Sequence, residues 1–193
     1  MTSRSELVAD AAIALLVDRG MRGLTHRAVD EAAGLAPGST SNIARTRLAL
    51  LELTLTRLTE LDDAALLADL PVPPSLTRDQ LTEIVAHALD VQLTEARRRA
   101  LARYELALEA NRRPELRAIY DRAGRRFREP LIALVAAAGS PDPVRHARRL
   151  VTFHEGVLFD ALAGAGDVPS LDDLRRATAD FLAGILPETG LVT

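Results

Sequence analysis

The sequence predicts an all-α chain of about nine helices: an N-terminal three-helix segment with a helix-turn-helix, followed by a helical bundle. Three observations carry this. Apolar residues recur at three- and four-residue spacing almost from end to end. Glycine and proline punctuate that pattern. The stretch Leu24 to Leu51, LTHRAVDEAAGLAPGSTSNIARTRLALL, sets two short helices around a glycine turn.

Ser3 and Glu6 form a capping-box signature ahead of an amphipathic run through Leu7, Ala11 and Leu15 that stops at Gly20. Thr25 is the N-cap of the second helix, whose Ala28, Val29, Ala32 and Ala33 make a small apolar face suited to close packing, and Gly34 ends it. Beyond the turn, Pro37 stands near the start of a third short helix that offers Ser39, Thr40, Ser41 and Asn42, small polar side chains that suit a groove. A fourth helix is expected from Arg47 to Asp69, ended by Pro71, Pro73 and Pro74 in the clearest linker of the chain. Thr77 and Gln80 cap a fifth, with Leu81, Ile84, Val85 and Ala88 on one face, and a sixth runs through Leu101, Tyr104 and Leu108. Pro114 opens a seventh, with Leu116, Ile119, Tyr120, Ala123 and Phe127 facing inward and Pro130 kinking or dividing it, before the break at Gly139-Ser140-Pro141.

The last two helices have the cleanest periodicity. Ala147, Leu150, Val151, His154, Leu158, Ala161 and Leu162 fall on one helical stripe, as do Leu174, Ala177, Thr178, Phe181, Leu182 and Ile185. The turn from Ala163 to Pro169 makes them an antiparallel hairpin, and two such hairpins can pair across a two-fold axis as a four-helix bundle. Leu150, Val151, Leu158, Leu162, Leu174, Thr178, Phe181 and Ile185 are the candidate contacts for that pairing. The alternative is that both stripes bury against the chain's own core.

Composition bounds the function. At 193 residues and 48% hydrophobic content, the chain can build one sizeable domain or two small ones. No apolar run approaches the roughly 18 residues of a membrane span, and MTSRSELVAD lacks the apolar centre of a signal peptide, so no membrane partner and a cytoplasmic location are expected. The absence of cysteine excludes disulfides, thiolate metal sites and a cysteine nucleophile. A net charge of −3 gives no global attraction to nucleic acid, so any binding must be local. Residues 22–47 carry Arg22, Arg27, Arg45 and Arg47 against Asp30 and Glu31 alone. Arg45 and Arg47 flank Thr46 at the start of a long helix, where backbone N–H groups and the helix dipole favour a phosphate.

Motifs for chemistry are weak. His154-Glu155 lacks the second histidine of a zinc-protease helix, and His26, His87 and His146 are too scattered to suggest a metal. Gly164 and Gly166 follow a helix rather than a strand, which argues against a dinucleotide loop, and there is no G-x-S-x-G elbow. The reading is a non-enzyme without metal or cofactor.

The alanine-rich first helix (Ala11-Ala12), Gly20, Leu24-Thr25, Ala33-Gly34-Leu35, Gly38-Ser39 and the opening Leu48-Ala49-Leu50-Leu51 together resemble the TetR family of transcriptional repressors, in motif detail over roughly residues 5 to 55 and in helix layout beyond. The family's usual aromatics at the positions of Ser41 and Ala44, and its usual lysine at Arg47, are here serine, alanine and arginine. The resemblance implies a helix-turn-helix DNA-binding domain over 1–50 and a ligand-binding and dimerisation domain over 51–193. It implies a homodimer, a ligand-responsive repressor released from a palindromic double-stranded DNA operator by a small molecule. Thr25, Arg27, Ser41, Thr46 and Arg47 then hold phosphates and Ser39, Thr40 and Asn42 face base edges, with Gly38 and Arg45 completing the DNA-binding set. If helices five to eight enclose a cavity, the polar or aromatic residues at apolar positions, Gln92, Tyr104, Tyr120 and His154, are its ligand contacts. With 3% aromatic residues the pocket suits an apolar or amphipathic effector. The competing reading is a helical protein-interaction module that does not bind DNA.

Overall fold

The computed structural model describes residues 3–66 and 73–186, with the side chains of 63–66, 126 and 127 outside that description. Its described elements are all helical: α1 (Arg4–Gly23), α2 (His26–Ala32), α3 (Ser39–Ile43), α4 (Arg47–Leu66), α5 (Arg78–Leu93), α6 (Arg97–Ala110), α7 (Pro114–Ala137), α8 (Pro143–Leu162) and α9 (Leu171–Ala183). The expected end of the fourth helix at Asp69 and Pro71, and the inward side chain of Phe127, lie outside the described residues.

Local chemistry places most helix ends. Ser3 and Glu6 exchange their capping bonds, as do Thr77 and Gln80, and a third box forms between Ser170 and Asp173. Each box satisfies two N–H groups that a helix start leaves without partners. Two ends differ from expectation. Gly20 adopts φ 63 and breaks the helical path without ending α1, which continues to Gly23. Pro130 does not divide α7, which runs unbroken from Pro114 to Ala137; the remaining hydrogen bonds of a long helix can absorb the single missing N–H.

The chain forms two compact units. The first comprises Met1–Ala65 with Arg98–Gly124. Its core joins Val8, Leu16, Leu24 and Val29 to Leu50, Leu51 and Leu58 of α4 and to Leu106 and Leu116 of α6 and α7. This unit takes in more than the helix-turn-helix, and the reason is size. The seven residues of α2 and five of α3 bury too little apolar surface alone, so α4 and α6 supply leucines worth roughly 1.5–3 kcal/mol each on burial. Ion pairs lie over this core: Arg57 of α4 reaches Asp10 at 2.8 Å and Glu6 at 3.3 Å on α1, and Arg99 of α6 reaches the buried Asp62 of α4 at 3.0 Å.

The second unit comprises Leu66–Arg97 with Arg125–Thr193. In it α5 packs on α8 and α9, and the Leu76 N–H donates to the Ala137 carbonyl at 2.8 Å. The stripes on α8 and α9 serve this packing first. Leu150, Leu158, Leu162, Leu174 and Thr178, expected to meet a second copy, are buried within the single chain. They lie on the faces that α8 and α9 turn inward. Val151, Phe181 and Ile185 stay half-buried, and Phe181 stacks on Phe153 with ring centroids 4.6 Å apart.

Candidate nucleic-acid interface

The helix-turn-helix is held by polar bonds that converge on α3. Thr25 caps α2 by accepting the Ala28 N–H at 3.1 Å, and Thr46 stands at the head of α4, accepting the Ala49 N–H at 3.1 Å. Each hydroxyl keeps its own proton and remains exposed, so each can still donate to a phosphate. Between them, α3 starts at Gly38, whose φ of 89 is a conformation that costs glycine nothing and that leaves the cap without a side chain. The missing cap comes from Asp30 on α2. Its carboxylate accepts the Gly38 N–H at 2.7 Å, the Thr40 N–H at 2.7 Å and the Thr40 hydroxyl at 2.6 Å. The hydroxyl bond above all holds the Asp30 carboxyl below the usual aspartate range, with the two N–H groups and nearby His26 adding to it and burial opposing. At the other end of α3, His26 Nε2 donates to the Ala44 carbonyl at 2.7 Å, which requires a proton on Nε2 because a carbonyl only accepts.

This arrangement sorts the expected DNA contacts. Ser41 and Asn42 are exposed on α3 and Ser39 is half-buried beside exposed Gly38. Arg27 and Arg45 are exposed. Arg27 pairs with Glu31 at 3.0 Å, both well exposed, a bond worth about 0.3–0.5 kcal/mol that a phosphate can outbid. Two expectations are corrected. Thr40 does not face base edges: it is fully buried, and Asp30 takes up both its hydroxyl and its N–H. Arg47 does not point at a phosphate: its guanidinium donates to the carbonyls of Leu24 and Met21, the latter at 2.6 Å, so it closes the carbonyls at the end of α1. Ala44 is buried in the core of the unit, while Ser41 lies on the surface.

Asp30 and His26 were not among the expected site residues. The available signal was a charged side chain inside the small apolar stripe of α2, where only a hydrogen-bonded acid is tolerated. A shallow open groove beside them is lined by His26, Asp30, Leu35, Pro37, Gly38 and Ser41.

The candidate ligand residues divide between the units. Gln92 and His154 meet in the second, with Gln92 Nε2 2.8 Å from His154 Nε2, and the buried amide also lies 3.4 Å from the Ala88 carbonyl. Tyr104 and Tyr120 belong to the first unit, each under an arginine: Arg103 is 5.3 Å from the Tyr104 ring and Arg117 6.0 Å from that of Tyr120. Within the second unit the structure brings Gln92 and His154 together. Among the described residues no cluster of His, Asp or Glu could hold a metal ion, and no helix is long and apolar enough to cross a membrane.

A short helix with an exposed polar face, capped from its neighbour and mounted on a long helix ahead of an all-helical second unit, defines a helix-turn-helix regulator fold. Comparison with known proteins agrees. The sequence model of the tetracyclin repressor-like C-terminal domain matches residues 76–188, and the chain belongs to that TetR family. A transcriptional regulator from Rhodococcus sp. Rha1 is similar in structure, with 23% identity, a TM-score of 0.80 and coverage of 95% of this chain and 96% of that one. A TetR family member from Streptomyces coelicolor A3 shares 27% identity at a TM-score of 0.76 over 96% of this chain and 99% of its own. The multidrug binding protein EbrR, complexed with malachite green, shares 30% identity at a TM-score of 0.72 over 96% and 99% of the two chains. A comparison with curated proteins finds no match. TetR-family regulators are transcription factors without enzymatic activity.

Proposed function

We propose that this chain is a homodimeric regulator that binds a palindromic DNA operator through residues 1–50 and is released from it by a small molecule sensed in residues 51–193. The observation that carries the reading is the exposed face of α3: Ser41 and Asn42 stand outward on a helix held at both ends, and Arg27 of α2 and Arg45 just after α3 are exposed as well. Asn42 suits bidentate pairing with an adenine edge, Ser39 a second base contact, and Arg27, Arg45, Thr25, Ser41 and Thr46 the phosphates.

One short helix reads too few bases for specificity, so the reading includes a dimer. Support comes from the hairpin, where half-buried Val151, Phe153, Phe181 and Ile185 and the exposed Phe159 leave apolar surface on the single chain. The effector reading is supported by the pair of buried Gln92 and half-buried His154 on α5 and α8, and by EbrR, a 30% identical multidrug binding protein complexed with malachite green. An apolar or amphipathic molecule with one hydrogen-bonding group fits such surroundings.

A mobility-shift titration with the DNA flanking the chain's own gene tests the proposal. A shifted complex that weakens as salt rises and tolerates excess unrelated duplex is expected. A helical protein-interaction module gives no shift at any salt concentration.

A further inference from the structure

Helix α3 cannot hold its own direction. Its five residues make barely one turn, and helix nucleation at that length is unfavourable. Both ends are fastened from α2 instead. Asp30 takes the N–H groups of Gly38 and Thr40 and the Thr40 hydroxyl, and His26, one turn earlier on the same face of α2, donates to the carbonyl of Ala44, the C-cap residue of α3. Side chains four apart on a helix stand about 5–6 Å from each other. Five helical residues rise about 7.5 Å. The two clamps thus stand about one turn apart along a helix of little more than one turn.

Apolar packing between α2 and α3 cannot do the same work. Its fully buried contributors are Val29 and Ala44, with Ala28, Leu35 and Ile43 half-buried against the same core, and an alanine offers little shape for a neighbour to register against. Hydrophobic contact is also non-directional, whereas these hydrogen bonds specify an angle. We propose that His26 and Asp30, acting through Ala44 and Thr40, are the positioning residues that set the angle at which α3 presents Ser41 and Asn42, so that base preference depends on side chains that do not contact a base. The proposal rests on the DNA-binding reading above and adds to it the origin of specificity.

The test uses the full chain and duplexes that the wild type selects from a randomised library. Affinity is measured for the selected duplex and for a scrambled one of the same composition, with Thr40→Val, Thr40→Ser and His26→Phe beside the wild type. Thr40→Val keeps the volume and removes one bond to a carboxylate. The ratio of the two affinities should fall about tenfold, as expected for a lost hydrogen bond to a charged group. Binding to the scrambled duplex and its salt slope should stay within about twofold, since the phosphate contacts remain. Thr40→Ser restores the hydroxyl and should restore the ratio, and His26→Phe should lower it from the other end of the helix. Circular dichroism checks the fold, and if Thr40→Val fails to fold, His26→Phe carries the test alone. A wild-type ratio in the folded variants, or an equal loss on both duplexes, overturns the positioning role. A wild type that selects no sequence overturns the DNA-binding reading itself, and this proposal with it.

Discussion

The guanidinium of Arg47, at the first position of α4, donates to the carbonyl of Met21 at 2.6 Å and also to that of Leu24. Both carbonyls lie beyond the break at Gly20, where α1 no longer supplies them with helical partners. Arg47 thus joins the end of α1 to the start of α4. Arg47→Ala should lower stability by about 1–3 kcal/mol by leaving two half-buried carbonyls without a donor, and should leave the salt slope of DNA binding unchanged. Loss of about one unit in that slope, with an unchanged melting temperature, would return Arg47 to the phosphate backbone.

Acid should loosen the fold at three carboxyls, one of them in the helix-turn-helix. The carboxyl of Asp30 is held below its ordinary range chiefly by the Thr40 hydroxyl, that of Asp173 chiefly by the Ser170 hydroxyl, and that of Glu109 chiefly by Arg113. A carboxyl whose folded pKa lies below its unfolded one contributes its full stabilisation above the unfolded value, near pH 4, and loses it as the pH falls through the lower folded value. These groups therefore leave stability flat from about pH 5 upward and reduce it below about pH 4. Asp30→Asn should melt earlier at pH 7 and show a shallower decline between pH 4 and pH 3, read by thermal unfolding at each pH. An acid limb of unchanged steepness would assign it to other groups.

Helix ends were the most legible part of the fold, because caps are local: Ser3 with Glu6 and Thr77 with Gln80 need partners only three residues away. The role of Thr40 was not legible. A small polar residue on a short helix reads the same whether it faces a groove or a buried acid, and its partner lies ten residues back on another helix. The stripe through Leu150, Leu158 and Leu174 was likewise visible as apolar, but periodicity says only that a face is buried, not against which surface. Phe153 was missed for the same reason: it falls off the main stripe and packs on Phe181.

Fully buried and half-buried residues of the hairpin should respond differently to substitution. Leu158 is fully buried in the chain, so Leu158→Ala should cost about 2–5 kcal/mol while the variant sediments like the wild type. Phe181 is half-buried and stacked on Phe153, and Phe181→Glu would set a charge in the proposed contact between copies. Sedimentation should show a monomer for it. An intact dimer in Phe181→Glu would move the interface away from Phe181.

The sensor reading makes a claim about two equilibria at once. If an effector held by Gln92 and His154 releases DNA, it must bind the DNA-free protein more tightly than the DNA-bound one, and linkage requires operator DNA to weaken effector binding by the same factor. Malachite green serves as the probe, since a 30% identical structure was complexed with it. Titrated with and without saturating selected duplex, its affinities should differ by roughly 5–150-fold, the usual range of allosteric coupling. Gln92→Leu removes the amide that meets His154 Nε2 and keeps the apolar volume. It should weaken effector binding while operator affinity in the absence of effector stays at the wild-type level. Equal dye affinity with and without duplex would uncouple the second unit from the DNA, and wild-type dye affinity in Gln92→Leu would place the effector away from this pair.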